Sequence, residues 1–235
     1  MSTHYGLERC GTFINAQNQF AGKATVTAKD RGLLRAVTIS RMSGSGAHRV
    51  AEILADLLQA RTPTDANPWT VFDRNLAEKT LEDHHLPRHL AGFMPEDRST
   101  EISNTVDELF GLHPPSWTLV RQTSDTILRL ADQGNAILIG RGATVLTRNL
   151  DYVFHVRLVG SVEKRAQHIQ ELRQLSKADA LDLIRREDRG RKRYLKQYFD
   201  ADIDDPLLYH LVINTDLIPY DTAAQLIANA VLKSA

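Results

Sequence analysis

Apolar residues along the chain alternate between short β-rich runs and longer stretches in which they recur at helical spacing. The strand-like runs lie at 36–40, 69–72, 136–139, 152–159 and 211–214. The segments between them are long enough to hold crossover helices, and such alternation is typical of a parallel sheet covered on both faces. The pattern therefore predicts an α/β fold with five parallel strands.

Helix boundaries are marked by capping residues and glycines. Ser116 follows two prolines and is expected to begin a helix that Gly134 ends. Ser176 opens a Ser-Lys-Ala-Asp sequence of the capping-box form, which predicts a helix to about Tyr198. A last helix is predicted at 223–232 from its apolar spacing.

The N-terminal residues differ from the rest of the chain, because 1–35 keep neither the helical nor the strand period. They predict an arm that is partly ordered at best, followed by one domain at 36–235. No apolar stretch approaches the ~18 residues of a membrane-spanning helix, and residues 1–20 hold no block that resembles a signal sequence. These features predict a cytoplasmic protein without a membrane partner.

Charge is balanced over the whole chain, since Lys and Arg total 29 and Asp and Glu also total 29. A neutral chain has no global field that attracts nucleic acid or an anionic membrane. The local exception is 185–196, which holds seven basic residues against two acidic ones. The single cysteine excludes an internal disulfide, and no metal-ligand spacing is present.

Two glycines, Gly44 and Gly46, come directly after the first predicted strand and before the first predicted helix. Such a turn presents backbone N–H groups and the positive end of a helix dipole to an anion, for which phosphate is the natural candidate. A tight turn without any ligand fits the glycines equally well. If phosphate binds, a side chain at Gly46 is expected to obstruct its approach at a solvent-facing turn.

The turn departs from the lysine-containing phosphate-loop consensus G-x-x-x-x-G-K-[ST], because 41–48 reads RMSGSGAH. The first glycine is replaced by Arg41, the lysine by Ala47 and the hydroxyl residue by His48. These changes remove a cation that bridges the β- and γ-phosphates and a usual Mg²⁺ contact. Arg41, His48 and Arg49 bring other positive groups close to the turn.

Several sequence blocks, in a fixed order, resemble the cytidylate kinase-like family of P-loop proteins. The blocks are TISRMSGSGAHRVAEILADLL, VFDRNLAEK, ILRLADQGNAILIGRGATVL, the Arg-rich helix and YHLVINTDL, and the resemblance as a whole covers 36–232. The resemblance implies a P-loop NTPase-like three-layer sandwich with a five-stranded parallel sheet, a flap at about 73–115 and a helical lid at about 176–205. Members commonly have a GSGG-type turn without the lysine, so Ala47 is a modest departure from them.

The resemblance also assigns the binding residues. ATP, with Mg²⁺, is expected at the turn, whose candidate binding residues are Arg41, Ser43, Gly44, Ser45, Gly46, Ala47, His48 and Arg49. Arg141 matches the arginine of the kinases' GRD segment, with Gly142 in place of the aspartate, and is expected to bind a monophosphate. Asp73 stands where the kinases have an aspartate near the acceptor nucleotide, although it fits a helix cap before Arg74 equally well.

The basic run is similar to the kinase lid pattern R-D-x-R-D-x-x-R, with Gly190 in place of an aspartate. Arg186, Arg189 and Arg193 match its arginines and share one helical face. Forked guanidinium groups on one face suit a transferring phosphoryl group, so these three residues are the catalytic candidates. The neighbouring Arg191 and Lys192 lie off that face and are expected to contribute much less.

Two functions fit these residues. The first is a phosphotransferase that moves the γ-phosphoryl group of ATP to a nucleoside monophosphate or a related small acceptor. The second is a catalytically degenerate nucleotide sensor of the same fold, which the missing lysine, hydroxyl and aspartates favour. Nucleic-acid binding fits less well, because aromatic residues are not interleaved with the basic run.

Overall fold

The structure is a computed structural model, in which the described residues are 35–63, 66–73 and 116–233. The predicted arm, apart from Arg35, and the predicted flap, apart from Asp73, lie outside the described residues. So does the polar helix that the sequence predicts near Arg74.

Five strands form one sheet in the described part of the chain. They are β1 (Ala36–Arg41), β2 (Thr70–Phe72), β3 (Ala136–Ile139), β4 (Val153–Val159) and β5 (Leu211–Asn214). Their order is β2-β3-β1-β4-β5, and every neighbouring pair is parallel. The predicted α/β class with five parallel strands is confirmed.

The helices of the described residues follow the sequence pattern closely. They are α1 (Ala47–Gln59), α2 (Ser116–Gln133), α3 (Ala143–Leu146), α4 (Val162–Arg173), α5 (Lys177–Phe199) and α6 (Tyr220–Lys233), with a short 3₁₀ turn at Pro206–Leu208. Ser176 caps α5 by accepting a hydrogen bond from the N–H of Asp179. The sequence did not predict α3, because four residues are too few to show a helical period.

The sheet separates two apolar clusters, because alternate strand residues face opposite sides. On one side, Val37 and Ile39 of β1 pack in a cluster with α1 and α6. On the other side, Ala36 packs with Ile127 and Leu130 of α2. Helices therefore cover both faces of the sheet, and the carboxyl ends of all five strands meet at one edge.

The α2 side of the sheet contains a buried histidine among other buried polar side chains. His155 of β4 is 3% exposed. Its Nδ1 lies 2.8 Å from Thr38 Oγ1, which in turn lies 3.0 Å from Thr144 Oγ1. The ring stacks on His210 at 5.0 Å, while its Nε2 has no hydrogen-bond partner among the described residues. Burial, and then the neighbouring His210, lower the pKa of His155 to about 4.

Acid is expected to destabilise the fold through this histidine. In the unfolded chain His155 takes up its proton near pH 6.5, whereas in the fold it does so only near pH 4. The free energy of unfolding should therefore fall by roughly 2 to 3 kcal/mol between pH 7 and pH 4.5 on this account alone. Urea denaturation of the wild type and of His155→Gln at both pH values measures it. An equally steep loss in the variant would contradict the assignment.

Candidate functional site

The carboxyl edge of the sheet gathers the predicted binding residues. Arg41 ends β1, Asp73 directly follows β2 and Arg141 follows β3. Ser161 follows β4 and Asp216 follows β5 at the same edge. Ligands of open parallel sheets bind in the crevice at this edge, so the structure brings the donor and acceptor candidates into one region.

The glycine turn, residues 42–46, leads from β1 into α1. Gly44 and Gly46 have φ values of +81° and +78°, in the left-handed region that favours glycine. The turn is closed by Ser45, whose N–H and Oγ both donate to Met42 O, at 3.2 and 2.8 Å. Among the described residues, no protein group accepts a hydrogen bond from the N–H groups of Gly44, Gly46, Ala47 and His48. Four free donors at a helix N-terminus form an arrangement that binds anions.

The glycines are also required by close packing. A Cβ on Gly46 would lie 2.3 Å from a ring carbon of Tyr220 in α6, and a Cβ on Gly44 would lie 2.6 Å from Arg165 O. Gly46 is partly exposed, but a side chain there would meet Tyr220 and not only solvent. A valine at Gly46 would disturb the packing of α6 as well as any ligand, so it does not isolate phosphate binding.

Ser43, at the start of the turn, is bonded on all sides by α4 and α5. Its N–H donates to Asp188 Oδ1 at 2.7 Å, and its Oγ donates to Glu187. Arg191 Nη2 donates to Ser43 Oγ at 2.8 Å, and Arg165 Nη1 donates to Ser43 O at 2.9 Å. Ser43 is 5% exposed. Its polar groups therefore anchor the turn to the protein, in contrast to the free amides that follow it.

Arg191 has an environment that the sequence did not predict. It is buried, and it bonds to Asp188 and pairs with Glu187 in addition to Ser43. Arg191 lies off the arginine face, as expected, and its small contribution to turnover stays a prediction that its buried contacts now call into question. Burial is possible because the two carboxylates precede it by three and four residues on the same helix and neutralise its charge. That spacing was the available sequence signal.

The three catalytic candidates lie on the accessible side of α5. Arg186 and Arg189 are exposed, and Arg193 is half-buried. None of the three forms a hydrogen bond or an ion pair with another residue in the described part of the chain. Their guanidinium groups are thus available to an anion, whereas the neighbouring Lys192 is bonded to Asp204 at 2.9 Å.

Asp73 lies beside the glycine turn. Its carboxylate is 3.8 Å from Arg41 Nη2 and 3.9 Å from His48 Nδ1. His48 also approaches Glu52, at 3.4 Å, and Arg49 approaches the same carboxylate at 3.8 Å. The acceptor candidate Asp73 therefore sits next to the donor candidates Arg41 and His48, and carboxylates balance part of their charge.

Arg141 lies in an unusual backbone conformation. Its φ is +56°, and both neighbouring residues, Gly140 and Gly142, are also left-handed. Three successive residues of this kind make a sharp turn that leaves the arginine partly exposed at the carboxyl end of β3. A non-glycine residue held in this region is uncommon and is often found at functional sites.

Sequence reasoning missed a second buried arginine. Arg157 of β4 donates from Nη1 to Ser40 Oγ at 2.9 Å and from Nη2 to Asp204 Oδ1 at 2.8 Å. Burial opposes the charge of Asp204, but hydrogen bonds from Lys192 and Arg157 outweigh it and hold the pKa of Asp204 below its usual value. Asp204 thus ties the segment after α5 to the sheet.

A cavity of about 250 Å³ opens beside the turn, on the side of α4 and α6. Its walls include Gly44, Arg165, His168, Asp216 and Tyr220. The His168 and Tyr220 rings meet edge to face at 5.7 Å. The cavity therefore combines aromatic surface and charge next to the free amides.

The comparison with known families agrees with this geometry. The sequence profile of the cytidylate kinase-like family matches residues 36–217. The chain belongs to this family. Within it, the matched region contains every predicted site residue, from Arg41 to Arg193.

Curated cytidylate kinases are similar to this cytidylate kinase-like protein. That of Methanothrix thermoacetophila is 29% identical over 179 residues, which are 76% of this chain and 87% of the relative. Those of Pyrococcus horikoshii and Methanocaldococcus jannaschii are 28% and 25% identical, over 60% and 66% of this chain and 72% and 89% of the relatives.

A solved structure supports the fold of this cytidylate kinase-like protein. An uncharacterized protein from Eubacterium ventriosum has a TM-score of 0.61 at 17% identity, covering 85% of this chain and 99% of that one. The predicted three-layer sandwich, with helices on both faces of a five-stranded parallel sheet, is confirmed, and the lid role of α5 stays a prediction. In the described ranges, no helix has both the length and the apolar character needed to cross a membrane.

Proposed function

We propose that the chain is a nucleoside monophosphate kinase that transfers the γ-phosphoryl group of ATP to cytidylate or a related small acceptor. The observation that carries the proposal is the set of free N–H groups at Gly44, Gly46, Ala47 and His48, at the positive end of α1. The similarity to archaeal cytidylate kinases supports the choice of acceptor.

The donor nucleotide fits the glycine turn and the cavity beside it. Its phosphates would accept hydrogen bonds from the free amides, and its nucleoside would enter the cavity beside Gly44, which Arg165 and Tyr220 also line. Ala47 provides no cation for the phosphates. Arg41 and His48 at the mouth of the turn, and Arg165 behind it, are the positive groups that replace the lysine of other P-loop kinases.

Mg²⁺ fits this site mainly through the nucleotide. The described residues contain no group of three or more His, Cys, Asp and Glu side chains that would hold a metal ion. Mg²⁺ commonly keeps several waters and binds substrate phosphates with few protein ligands, so phosphate oxygens would supply most of its coordination. When bound, it neutralises and bridges the phosphates.

The acceptor would lie between the sheet edge and the lid. Arg141 would bind its phosphate, Asp73 would contact its nucleoside, and Arg186, Arg189 and Arg193 would close over the transferring group. Phosphoryl transfer needs little covalent chemistry from the protein, because positioning and charge stabilisation supply most of the rate enhancement. The three unpaired guanidiniums suit that role.

A nucleotide sensor is the second candidate, and a specific observation favours it. Asp73 already lies near Arg41 and His48, at 3.8 and 3.9 Å, so part of the charge at the turn is engaged. Single-turnover assays with ATP and cytidylate separate the two functions. Transfer identifies the kinase, and nucleotide binding without transfer identifies the sensor.

His48→Asp is expected to weaken ATP binding by more than about tenfold, roughly 1.4 kcal/mol. His48 is 60% exposed at the second position of α1, where an acidic side chain favours the helix dipole but repels phosphate. Repulsion from Asp73 and Glu52 offsets the gain, so the free energy of unfolding should change by less than about 1 kcal/mol. Calorimetric titration with ATP measures the affinity.

His48→Asn is the matched control, because it removes the same ring without adding charge. Its affinity for ATP should fall less than that of His48→Asp, because it loses the ring without gaining a negative charge beside the phosphates. If the Asp variant folds and binds ATP as tightly as the Asn variant, the glycine turn is not the phosphate site.

A further inference from the structure

Two parts of the site that are distant in sequence meet at one carboxylate. Asp188 of α5 accepts the Ser43 N–H through Oδ1 and Arg165 Nη1 through Oδ2, each at 2.7 Å. Arg191, one turn later on α5, donates to Oδ1 as well. Asp188 therefore contacts the glycine turn, the wall of the cavity and its own helix at the same time.

The charges around Asp188 require a carboxylate. Arg165 and Arg191 are both more than nine-tenths buried, and buried guanidiniums are costly unless they are paired and hydrogen-bonded. Glu187 pairs with Arg191 but has no contact with Arg165 in the described residues. Among the carboxylates of the described residues, only that of Asp188 bridges both arginines. An amide in its place would keep the size, lose the charge and offer only one acceptor oxygen.

The lid arginines are rigidly coupled to Asp188 through the helix. Arg186 and Arg189 flank it in sequence, and Arg193 follows within two turns of the same helix. Any shift of Asp188 against Ser43 would displace all three guanidiniums relative to the turn. A displacement of about 1 Å between reacting groups is enough to cost orders of magnitude in rate.

We propose that Asp188 is a positioning residue, which locks the lid helix to the glycine turn so that the lid arginines and the donor phosphates share one geometry. The proposal rests on the proposed kinase function. It goes beyond that function because it assigns the alignment of the lid helix to Asp188. The lid arginines themselves do not provide this alignment.

The experiment compares Asp188→Asn with Asp204→Asn. Both carboxylates accept a hydrogen bond from a buried arginine, at 2.7 Å from Arg165 and 2.8 Å from Arg157, but only Asp188 contacts the turn. Both variants should lower the melting temperature. Asp188→Asn should lower kcat more than about tenfold, with the dissociation constants of ATP and cytidylate changed less than about threefold. Asp204→Asn should keep kcat within about threefold.

Equal losses of kcat in the two variants would overturn the proposal, since a general loss of stability would then explain both. A loss confined to ATP affinity would overturn it as well, because Asp188 would then only support the donor pocket. A wild type that binds ATP without transfer would instead refute the kinase function.

Arg191→Lys provides a second test if Asp188→Asn does not fold. Lysine keeps the charge but lacks the planar fork of the arginine that reaches Ser43 Oγ and Asp188 from one nitrogen and Glu187 from the other. The same fall in kcat with nearly unchanged dissociation constants is expected. Unchanged kcat in a folded Arg191→Lys protein would contradict the lock.

Discussion

Arg189→Ala and Arg193→Ala are each expected to lower the turnover number for phosphoryl transfer by more than about tenfold, which is roughly 1.4 kcal/mol of transition-state stabilisation. Neither guanidinium pairs with a protein group in the described part of the chain. Removal therefore leaves no buried partner without its charge, and the fold should be unaffected. Because the arginines act mainly on transferring charge, the affinity for cytidylate should change less than kcat.

Arg185→Ala is the control for these variants. Arg185 lies one turn before Arg189 on the same helix and is 65% exposed, but unlike the three candidates it pairs with a carboxylate, that of Asp182, at 3.4 Å. Its kcat should remain close to that of the wild type. Arg191 does not serve as a control, because its removal would leave Asp188 and Glu187 without their buried partner. If Arg185→Ala lowers kcat as much as Arg189→Ala, the arginines that are unpaired among the described residues have no special role.

The fold was predictable because its elements carry strong local signals. β3 lies at 136–139 in both sequence and structure, since a short apolar run between Gly134 and Gly140 has few alternatives. Ser176 and Asp179 form the predicted cap of α5. The parallel arrangement follows once helices separate the strands, because a parallel pair needs a long crossover. Among the elements of the described residues, only the four-residue α3 and the 3₁₀ turn lacked a signal.

The edge of the site was predictable for the same reason. Residues that directly follow parallel strands are brought together by the topology, so Arg41, Asp73 and Arg141, which the family resemblance indicated, could be placed at one edge without side-chain information. The sequence could place these residues at one edge. It could not determine that Asp73 lies against Arg41 and His48, because that contact depends on rotamers.

The contacts behind the turn were not predictable. Ser43 and Asp188 are separated by 145 positions, and nothing in either neighbourhood indicates the other. The apolar stripe of α5 ends at Ile184 in the sequence, and periodicity gave no sign that any arginine beyond it is buried. Burial of Arg191 needs the Ser43 hydroxyl from β1–α1 and two acidic neighbours, which is a tertiary arrangement that periodicity does not detect.

The last prediction compares two glycines, Gly44 and Gly134, which differ in how closely another part of the chain approaches them. Gly44 and Gly134 have nearly the same φ, +81° and +85°, so alanine meets the same left-handed strain at both positions. At Gly134 the nearest atom to a new Cβ would be Arg35 Cβ at 3.5 Å, an ordinary contact. At Gly44 it would be the backbone oxygen of Arg165 at 2.6 Å. This oxygen belongs to α4, so it can move away only if the helix itself shifts.

Gly134→Ala is therefore expected to lower the free energy of unfolding by about 1 to 2 kcal/mol, and Gly44→Ala by about 3 kcal/mol or more. Displacing α4 would also move Arg165 away from Ser43 O and Asp188, so Gly44→Ala should weaken ATP binding while Gly134→Ala leaves it unchanged. Urea denaturation and calorimetric titration of both variants provide the test. Equal losses of stability would mean that the turn has room to relax away from α4, and that the left-handed backbone alone requires glycine there.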